Sequence, residues 1–269
     1  MGGTVSINSD GSFTYTPPIG VTAQTDSFNY TALDALGNSA TGSATIEISN
    51  RVWYVKNDTV GNGDDGTLAN PFDTLDEAES AAFAGDIIFV YEGDGTASNY
   101  NTATTLKDNQ QLIGQGVDLV VNGRTVVTKT AHPLLDSTGS TVILANGNVV
   151  RGISISAEAD CIIHPGSAVA GLTVEDSICS NGQDVRQPDD HINLINGVSG
   201  SIQINNNEFL NTNDGTGAHP AIRLDVFAGN DADITISGNR FDSDGGGDQM
   251  DDGIYMDIGR SGSGGGTIN

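Results

Sequence analysis

The sequence predicts an all-β protein, in which a right-handed parallel β-helix with a short N-terminal capping helix follows a partial β-sandwich. Three observations indicate this. Apolar positions recur at a long period in the second part of the chain, the segments between them are rich in Gly, Asn and Asp without a helical period, and the first part alternates in hairpins. We divide the 269 residues into a partial sandwich over 1–50 and a β-helix over 51–269, which we interpret as C-terminally truncated.

The first strands form a predicted hairpin. Val5 and Ile7 alternate with polar residues before a turn that contains Gly11, and Phe13 and Tyr15 alternate after it. A three-residue loop with Gly11 in the left-handed region pairs Ile7 with Phe13 and Val5 with Tyr15. A two-residue loop would put these pairs out of register, so we favour the longer loop.

Two further strands complete the first domain. Apolar and polar residues alternate again over 28–32, before a turn at 34–38, and once more over 44–48. About four strands are too few for a sandwich, which typically has about seven. The runs 10–17 and 26–31 resemble the tandem cadherin-like or immunoglobulin-like repeats of large bacterial surface proteins. The resemblance matches the second half of such a repeat, and it implies a structural spacer without an active site.

A short helix is predicted at the entrance to the second domain. Thr74 and Glu77 have the spacing of a capping box. The predicted apolar face of the helix consists of Leu75, Ala78, Ala82 and Phe83. A buried strand is expected over 87–91. The order of an acidic loop, Pro-Phe-x-Thr, an Ala-rich helix and Gly-Asp-Ile-Ile resembles the opening of many secreted β-helix proteins, in which the helix covers the first coil.

The repeat is the main evidence for the fold. The motif Ile-x-Ile-x-x-Asn-x-Phe begins at Ile202 and returns in the same direction at Ile234. A parallel coil stacks such positions about 4.8 Å apart, whereas an antiparallel sandwich does not repeat them in the same direction. The predicted stacks are two aliphatic columns (Leu172, Ile202, Ile234; Ile192, Ile222, Ile254), an aromatic pair (Phe209, Phe241) and an asparagine ladder (Asn207, Asn239).

An earlier and shorter coil is expected at Ile153-x-Ile155. We align this pair with the first aliphatic column, and Ile162 follows it after a much shorter interval than in the later coils. The same alignment places Cys179 one coil above the residue next to Cys161. A disulfide between Cys161 and Cys179 is therefore geometrically possible, and the alternative of two free thiols stays open.

Over residues of about 51 to 269 the chain resembles the pectate-lyase-like superfamily of parallel β-helices. Members of this superfamily include polysaccharide lyases, polygalacturonases, phage tailspikes and many adhesins. The resemblance therefore implies a fold and leaves the activity open.

The candidate binding site is an acidic flank of the coils between Ser180 and Gly253. Compared with the short coil, the following coils have additional residues in 180–191, 210–221 and 242–253. Insertions at one phase of a solenoid emerge on one side, which is often the binding face. The predicted ligand-binding residues are Asp189, Asp190, His191, His219, Asp248, Asp251 and Asp252.

Two functions fit such a flank, and a third interpretation is purely structural, in which Asp251-Asp252-Gly253 is a turn before a buried strand. In the leading interpretation the chain is a non-catalytic adhesin-like or structural module that contacts a host or surface glycan or a protein ligand. In the alternative it is a polygalacturonase- or lyase-like enzyme, in which Asp214, Asp251 and Asp252 act on a sugar as acid and base. A lyase also needs a basic residue, for which the nearby candidates are Arg186, Arg223 and Arg240.

The composition is strongly acidic, with a net charge of −25. This charge disfavours nucleic acids and anionic membrane surfaces, because both require a basic face. It suits Ca²⁺, for which Asp58, Asp64 and Asp65 around a Gly-rich loop are candidate ligands, although the same loop also fits a purely structural turn. No apolar run is long enough to span a membrane. We expect an extracellular or bacterial cell-surface protein that is monomeric.

Overall fold

The computed structural model describes residues 2–8, 10–17, 24–48, 51–58, 64–164, 166, 168–181, 190–211, 220–227, 230–243, 253–258 and 267–268. The chain divides into two compact units, Met1–Arg51 and Val52–Asn269. Among these described residues, no helix has the length and hydropathy needed to cross a membrane.

The first unit contains two antiparallel hairpins. Its strands are β1 (Thr4–Ile7), β2 (Phe13–Thr16), β3 (Gln24–Leu33) and β4 (Ser39–Ile48), with β1 paired to β2 and β3 paired to β4. Val5 lies opposite Tyr15 and Ile7 opposite Phe13, so the predicted register is confirmed. Gly11 has a φ of 86°, which is the left-handed conformation that the loop requires.

Aromatic and polar contacts join the hairpins of this unit. The rings of Phe13 and Phe28 meet edge to face, with centroids 5.3 Å apart. The Tyr15 hydroxyl donates a 2.6 Å hydrogen bond to the carboxylate of Asp26, and this bond lowers the pKa of Asp26 to about 2. Aromatic and polar contacts thus link the two sheets of the first unit.

The second unit consists of short strands and one helix. In chain order these are β5 (Val52–Val55), α1 (Leu75–Ala81), β6 (Ile87–Val90), β7 (Thr104–Thr105), β8 (Gln111–Gly114), β9 (Leu119–Val121), β10 (Arg124–Val127), β11 (Leu134–Ser137), β12 (Val142–Ile143), β13 (Asn148–Arg151), β14 (Ser154–Ala157), β15 (Ile162–Ile163), β16 (Val169–Glu175), β17 (Ile178–Asn181), β18 (Ile192–Leu194), β19 (Val198–Asn205), β20 (Glu208–Asn211), β21 (Ile222–Val226), β22 (Ala232–Ser237), β23 (Arg240–Ser243), β24 (Ile254–Ile258) and β25 (Thr267–Ile268).

Three sheets form the walls of this unit. Sheet I has the order β5-β6-β8-β13-β16-β19-β22-β25, sheet II β11-β14-β17-β20-β23 and sheet III β7-β12-β15-β18-β21-β24. From β11 onward the chain visits sheets II, III and I in turn, and all of these pairings are parallel. This is the parallel β-helix that the repeat predicts.

The predicted columns are register partners in the sheets. The confirmed columns are Leu172–Ile202–Ile234 in sheet I, Ile192–Ile222–Ile254 in sheet III and Phe209–Phe241 in sheet II. The two phenyl rings stack with centroids 5.3 Å apart. Ile202 and Phe209 are fully buried, and burial of one such side chain contributes about 1.5 to 3 kcal/mol.

The predicted alignment of the short coil is wrong. Ile155 lies in β14 of sheet II and pairs with Cys179, whereas the partner of Leu172 in the preceding coil is Asn148. Only residues 152–153 separate β13 from β14. The apolar alternation therefore continues through this corner, and the sequence alone shows no break between the two strands.

The later coils are longer, chiefly because of the connection between sheets II and III. In sheet III, Val142, Ile162 and Ile192 are successive register partners, so the coil that starts at Val142 is shorter than the one that starts at Ile162. In the short coil the sheet II strand starts at Ser154 and the sheet III strand at Ile162. In the next coil the equivalent strands start farther apart, at Ile178 and Ile192. The strands stay in register despite this change.

An asparagine ladder stabilises the turn between sheets I and II, as predicted. The Asn207 side-chain nitrogen donates to the carbonyl of Val174 at 2.9 Å, and its oxygen accepts from the amide of Ser177 at 3.0 Å. Asn239 repeats the first contact one coil later, with its nitrogen 2.7 Å from the carbonyl of Ile204. Asn207 is only 2% exposed, so its amide satisfies buried backbone groups.

The capping helix begins at the predicted capping box. The Thr74 hydroxyl accepts from the amide of Glu77 at 3.3 Å, and the Glu77 carboxylate accepts from the amide of Thr74 at 3.2 Å. The buried residues of this segment are Leu75, Ala78 and Ala82. The predicted place of Phe83 on this face is wrong, because the helix ends at Ala81 and the Phe83 side chain is 49% exposed.

A second apolar cluster lies on the other face of sheet I, where the hairpin of β9 and β10 covers it. Its buried members are Tyr54, Ile87, Phe89, Ile113, Val117 and Leu119. Tyr54 and Phe89 alternate along their strands with Trp53 and Ile88, which belong to the central core. Sheet I is therefore buried on both faces at this end, which accounts for the uninterrupted apolar run of β6.

Candidate functional site

The acidic insertions begin and end at one corner of the coil. Asn181, Asn211 and Ser243 are register partners at the ends of β17, β20 and β23. The strands that follow start at Ile192, Ile222 and Ile254, which are also register partners. Many of the predicted site residues lie outside the described part of the chain, namely Arg186, Asp189, Asp214, His219, Asp248, Asp251 and Asp252.

Asp190 and His191 are described, and both are buried, with exposures of 2% and 3%. The Asp190 amide donates to the carboxylate of Asp160 at 2.7 Å. The His191 ring donates through Nε2 to the carbonyl of Leu210 at 3.0 Å and meets the edge of Phe209. Burial lowers the pKa of His191 to about 4, so the ring is neutral at physiological pH. These two residues anchor the start of β18 and face protein groups.

The outer face of sheet III next to this corner has a row of polar and aromatic side chains. Asn193, Arg223 and Tyr255 are register partners on β18, β21 and β24. Each follows an isoleucine of the column Ile192–Ile222–Ile254, so the alternation of a strand places it on the opposite face. The Arg223 guanidinium lies 5.5 Å from the centre of the Tyr255 ring, and Tyr255 is 42% exposed.

Carboxylates border this row. The Asn193 amide donates to the carboxylate of Asp160 at 3.2 Å. Asp225 and Asp257 pair in register two positions after Arg223 and Tyr255. The face thus combines one cation, one aromatic ring, one amide and several carboxylates.

Two atoms of the row are shielded from solvent without a hydrogen bond to any described residue, namely Arg223 Nε and Asn193 Oδ1. A buried polar atom without a partner costs about 1 to 3 kcal/mol. One is a donor and the other an acceptor. From the sequence, Arg223 is only a candidate base of a lyase. The pattern that could have identified the whole row is the middle residue of each repeated Ile-x-Leu or Ile-x-Met triplet.

A separate acidic cluster lies at the capping helix. Carboxylate oxygens of Asp64, Asp73 and Glu77 all lie within 4.8 Å of one another, so these groups can hold a metal ion. Hydrogen bonding with Glu77 raises the pKa of Asp73. The Asp64 carboxylate also accepts from the amide of Asp73 at 3.1 Å. The cluster combines Asp64 and Asp73, which precede the helix, with Glu77 in its first turn. The distance between Asp64 and the other two residues in the sequence does not indicate this contact.

The other two predicted calcium ligands have different contacts. Asp58 forms an ion pair with Lys56 at 3.1 Å. Asp65 accepts from the amide and the hydroxyl of Thr67 at 3.1 and 2.7 Å. Asp65 thus forms a turn with Thr67, and Asp64 is the member of the predicted set that lies in the cluster.

The two cysteines are joined in a disulfide, with a Cα–Cα distance of 6.2 Å. The expected geometry differs from the observed one, because Cys179 lies one coil above Ile155 and not above the neighbour of Cys161. Cys161 directly precedes β15, at the corner between sheets II and III. The bridge therefore connects that corner to the sheet II strand of the next coil.

Comparison with known sequence families gives two matches. Residues 1–47 match a family described as a bacterial Ig domain. Residues 59–259 match a family described as a protein of unknown function (DUF1565). No curated protein and no solved structure matches the chain.

Proposed function

Because the chain belongs to the DUF1565 family and has a bacterial Ig domain before the β-helix, we propose that it is a non-catalytic, glycan-contacting module of a bacterial surface protein. The two family matches indicate a surface-protein module. The disulfide agrees with this setting, because disulfides persist mainly outside the cytoplasm.

The observation that carries the proposal is the row Asn193–Arg223–Tyr255 on the outer face of sheet III. An exposed aromatic ring offers an apolar face to the C–H groups of a sugar. Arg223 and Asn193 place a guanidinium and an amide group in the same row as that ring. These groups lie on stacked strands, which hold them in fixed relative positions and lower the ordering cost of binding.

The negative charge around the row determines which class of glycan can bind there. Asp160, Asp225 and Asp257 border it, and the chain as a whole has a net charge of −25. A long polyuronate would therefore be repelled. We infer that the face contacts a neutral polysaccharide, whose hydroxyl groups donate to the carboxylates of Asp160 and Asp257.

Replacing Tyr255 with alanine should weaken binding to a neutral polysaccharide about tenfold, because loss of the ring removes about 1.4 kcal/mol of contact. Affinity electrophoresis through gels with embedded neutral polysaccharides measures the effect. Tyr30→Ala is the matched control, since Tyr30 is similarly exposed, at 44%, but lies in the first unit. This variant should leave the retardation unchanged. Equal retardation of wild type and Tyr255→Ala would contradict the assignment of this face.

An enzyme of the alternative kind would release products from a polysaccharide, whereas a binding module would not. Under the non-catalytic proposal, incubation with polygalacturonate should give no unsaturated products and no new reducing ends. Products that appear with the wild type and disappear in Asp251→Asn would overturn the non-catalytic proposal.

We further propose Ca²⁺ as the ion of the cluster at the capping helix. Three carboxylates of Asp64, Asp73 and Glu77 suit a hard cation that prefers oxygen ligands. Calcium at about one hundred times its Kd should add about 2.7 kcal/mol of stability, seen as a higher Tm that EDTA reverses. Asp64→Asn should abolish the increase, whereas Asp58→Asn should retain it. A Tm that is insensitive to both Ca²⁺ and EDTA would exclude a calcium site.

A further inference from the structure

The turn of the β9–β10 hairpin contains the sequence Asn122-Gly123. We propose that this pair is a site of spontaneous covalent modification, at which Asn122 loses ammonia and becomes aspartate or isoaspartate. Two other Asn-Gly pairs lie within the described part of the chain, at Asn146 and Asn196. The same dipeptide is held differently at the three places, and this difference determines which pair reacts in the folded protein.

The reaction needs only the chain and water. The backbone nitrogen of Gly123, once a base has removed its proton, attacks the side-chain carbonyl carbon (Cγ) of Asn122. Glycine has no Cβ to obstruct this attack. The new nitrogen–carbon bond forms, the bond from Cγ to Nδ2 breaks, and the amide nitrogen takes up a proton and leaves as ammonia. Water then opens the cyclic imide, at Cγ to give aspartate or at the backbone carbonyl to give isoaspartate.

The reacting groups at the hairpin turn are not restrained by other parts of the protein. Both residues are exposed, and a Cβ added at Gly123 would meet no atom beyond its chain neighbours within 4 Å. Among the described residues, no hydrogen-bond partner holds the Asn122 side chain or the Gly123 amide. The φ angles are 51° and 73°, as a two-residue hairpin turn requires. Because β9 and β10 form a separate two-stranded sheet, opening of this turn costs little.

Hydrogen bonds restrain the pair Asn146-Gly147. The Asn146 side chain donates through Nδ2 to the carboxylate of Asp108 at 3.3 Å and accepts through Oδ1 from the amide of Ala170 at 2.9 Å. The amide of Gly147, whose nitrogen would attack, donates to the carbonyl of Ala170 at 2.9 Å. These bonds connect the turn to the preceding and the following coil, so they must break before the ring can close.

The pair Asn196-Gly197 is restrained in a similar way. Asn196 donates through Nδ2 to the carbonyl of His164 at 3.0 Å. The Gly197 amide donates to the carbonyl of Leu194 at 3.2 Å, and Gly197 is buried. Water and base therefore reach this pair less easily than the exposed turn of the hairpin.

The two products have different effects on the hairpin. Asp-Gly adopts the same turn as Asn-Gly, so aspartate keeps the register of Val121 with Arg124. Isoaspartate carries the chain through the former side chain, which adds one backbone atom to the turn and disturbs that register. Since Leu119 of β9 belongs to the apolar cluster on the outer face of sheet I, isoaspartate should loosen the cover of this cluster.

The test is incubation of the folded whole chain in mildly alkaline buffer, followed by proteolysis in acid, which stops the reaction, and mass spectrometry of the Asn-Gly peptides. Conversion at Asn122 should be about tenfold faster or more than at Asn146 and Asn196. This ratio corresponds to about 1.4 kcal/mol, which is the order of restraint that their hydrogen bonds supply. In urea with reductant the three rates should converge.

Asp108→Ala is the variant that tests the restraint itself. It removes the acceptor of the Asn146 side chain, so conversion at Asn146 should accelerate while the rate at Asn122 stays unchanged. An unchanged rate at Asn146 contradicts the role of the hydrogen bonds. Equal rates at the three pairs in the folded chain overturn the assignment of the hairpin turn. The same ranking in urea also overturns it, because the neighbouring sequence and not the fold would then set the rates.

A stability measurement tests the effect of the products. The isoaspartate form, separated by chromatography, should unfold at a lower urea concentration than the wild type. Asn122→Asp is the matched control, since it adds the same charge without the additional backbone atom, and it should unfold at the same urea concentration as the wild type. An isoaspartate form as stable as the wild type contradicts the effect on the hairpin.

Discussion

Replacing Asn207 with alanine should lower the free energy of unfolding by about 3 kcal/mol, because buried backbone groups lose their partners. The Asn207 side chain donates to the carbonyl of Val174 and accepts from the amide of Ser177. It also donates to the side chain of Asn239 at 3.0 Å, which joins the ladder of the next coil. Alanine removes all three bonds and leaves a small cavity.

Urea unfolding followed by far-UV circular dichroism measures this loss. Asn205→Ala is the matched control on the same strand, since its side-chain bonds to Gln203 and Ser237 are at least partly exposed. The control should change stability by about 0.5 kcal/mol or less. Asn207→Asp should also destabilise, because a carboxylate accepts from Ser177 but has no donor for Val174. A loss in Asn207→Ala no larger than in the control would show that the ladder contributes nothing to stability.

Removing the disulfide should cost about 3 kcal/mol, because the bridge restricts the unfolded chain. Cys161 and Cys179 are separated by 18 positions in the sequence, so the unfolded chain without the bridge gains the freedom of a loop of that size. Both residues are buried, with exposures of 0% and 4%. Reductant should therefore act mainly after unfolding.

The measurement compares urea midpoints of the wild type with and without reductant. The expected result is a lower midpoint in reductant, close to that of the Cys161→Ala/Cys179→Ala double variant. The double variant is its own control, since reductant should not change it. An unchanged wild-type midpoint after complete reduction, verified by thiol titration of the unfolded protein, would contradict a stabilising bridge.

The sequence was sufficient for those parts of the fold that repeat. The columns of Ile202 and Ile222 were predictable because equivalent positions must stack in every coil of a parallel helix. The hairpin register of Ile7 with Phe13 followed from the period of two along a strand and from the loop length. In both cases the pattern along the chain determines which residues are in contact in the fold.

Errors arose where one pattern fits two arrangements. Ile155 continues an apolar alternation around a two-residue corner, so the period of two does not distinguish sheet I from sheet II there. Phe83 fits the helical period, but the helix ends earlier. The outer cluster around Phe89 and Leu119 depends on a distant hairpin folding back over sheet I, and no local period encodes this contact.

The candidate site was only partly predictable for a related reason. Asp64 was identified from its acidic loop, but its neighbours Asp73 and Glu77 approach it only after the loop folds against the helix. Arg223 and Tyr255 are distant in the sequence and meet because two successive coils stack in register. Such pairs become visible once the register of each sheet is known.

The bridge between successive coils also has a mechanical consequence. A surface protein carries tension along its chain, and a solenoid under tension extends as its coils peel away one after another. The cross-link of Cys161 to Cys179 shields the segment between them, which spans 18 residue steps, from this load. At about 3.3 to 3.6 Å per extended residue, roughly 60 Å of contour length stays unreleased. The oxidised chain should therefore rupture in force spectroscopy with a shorter total extension than the reduced chain.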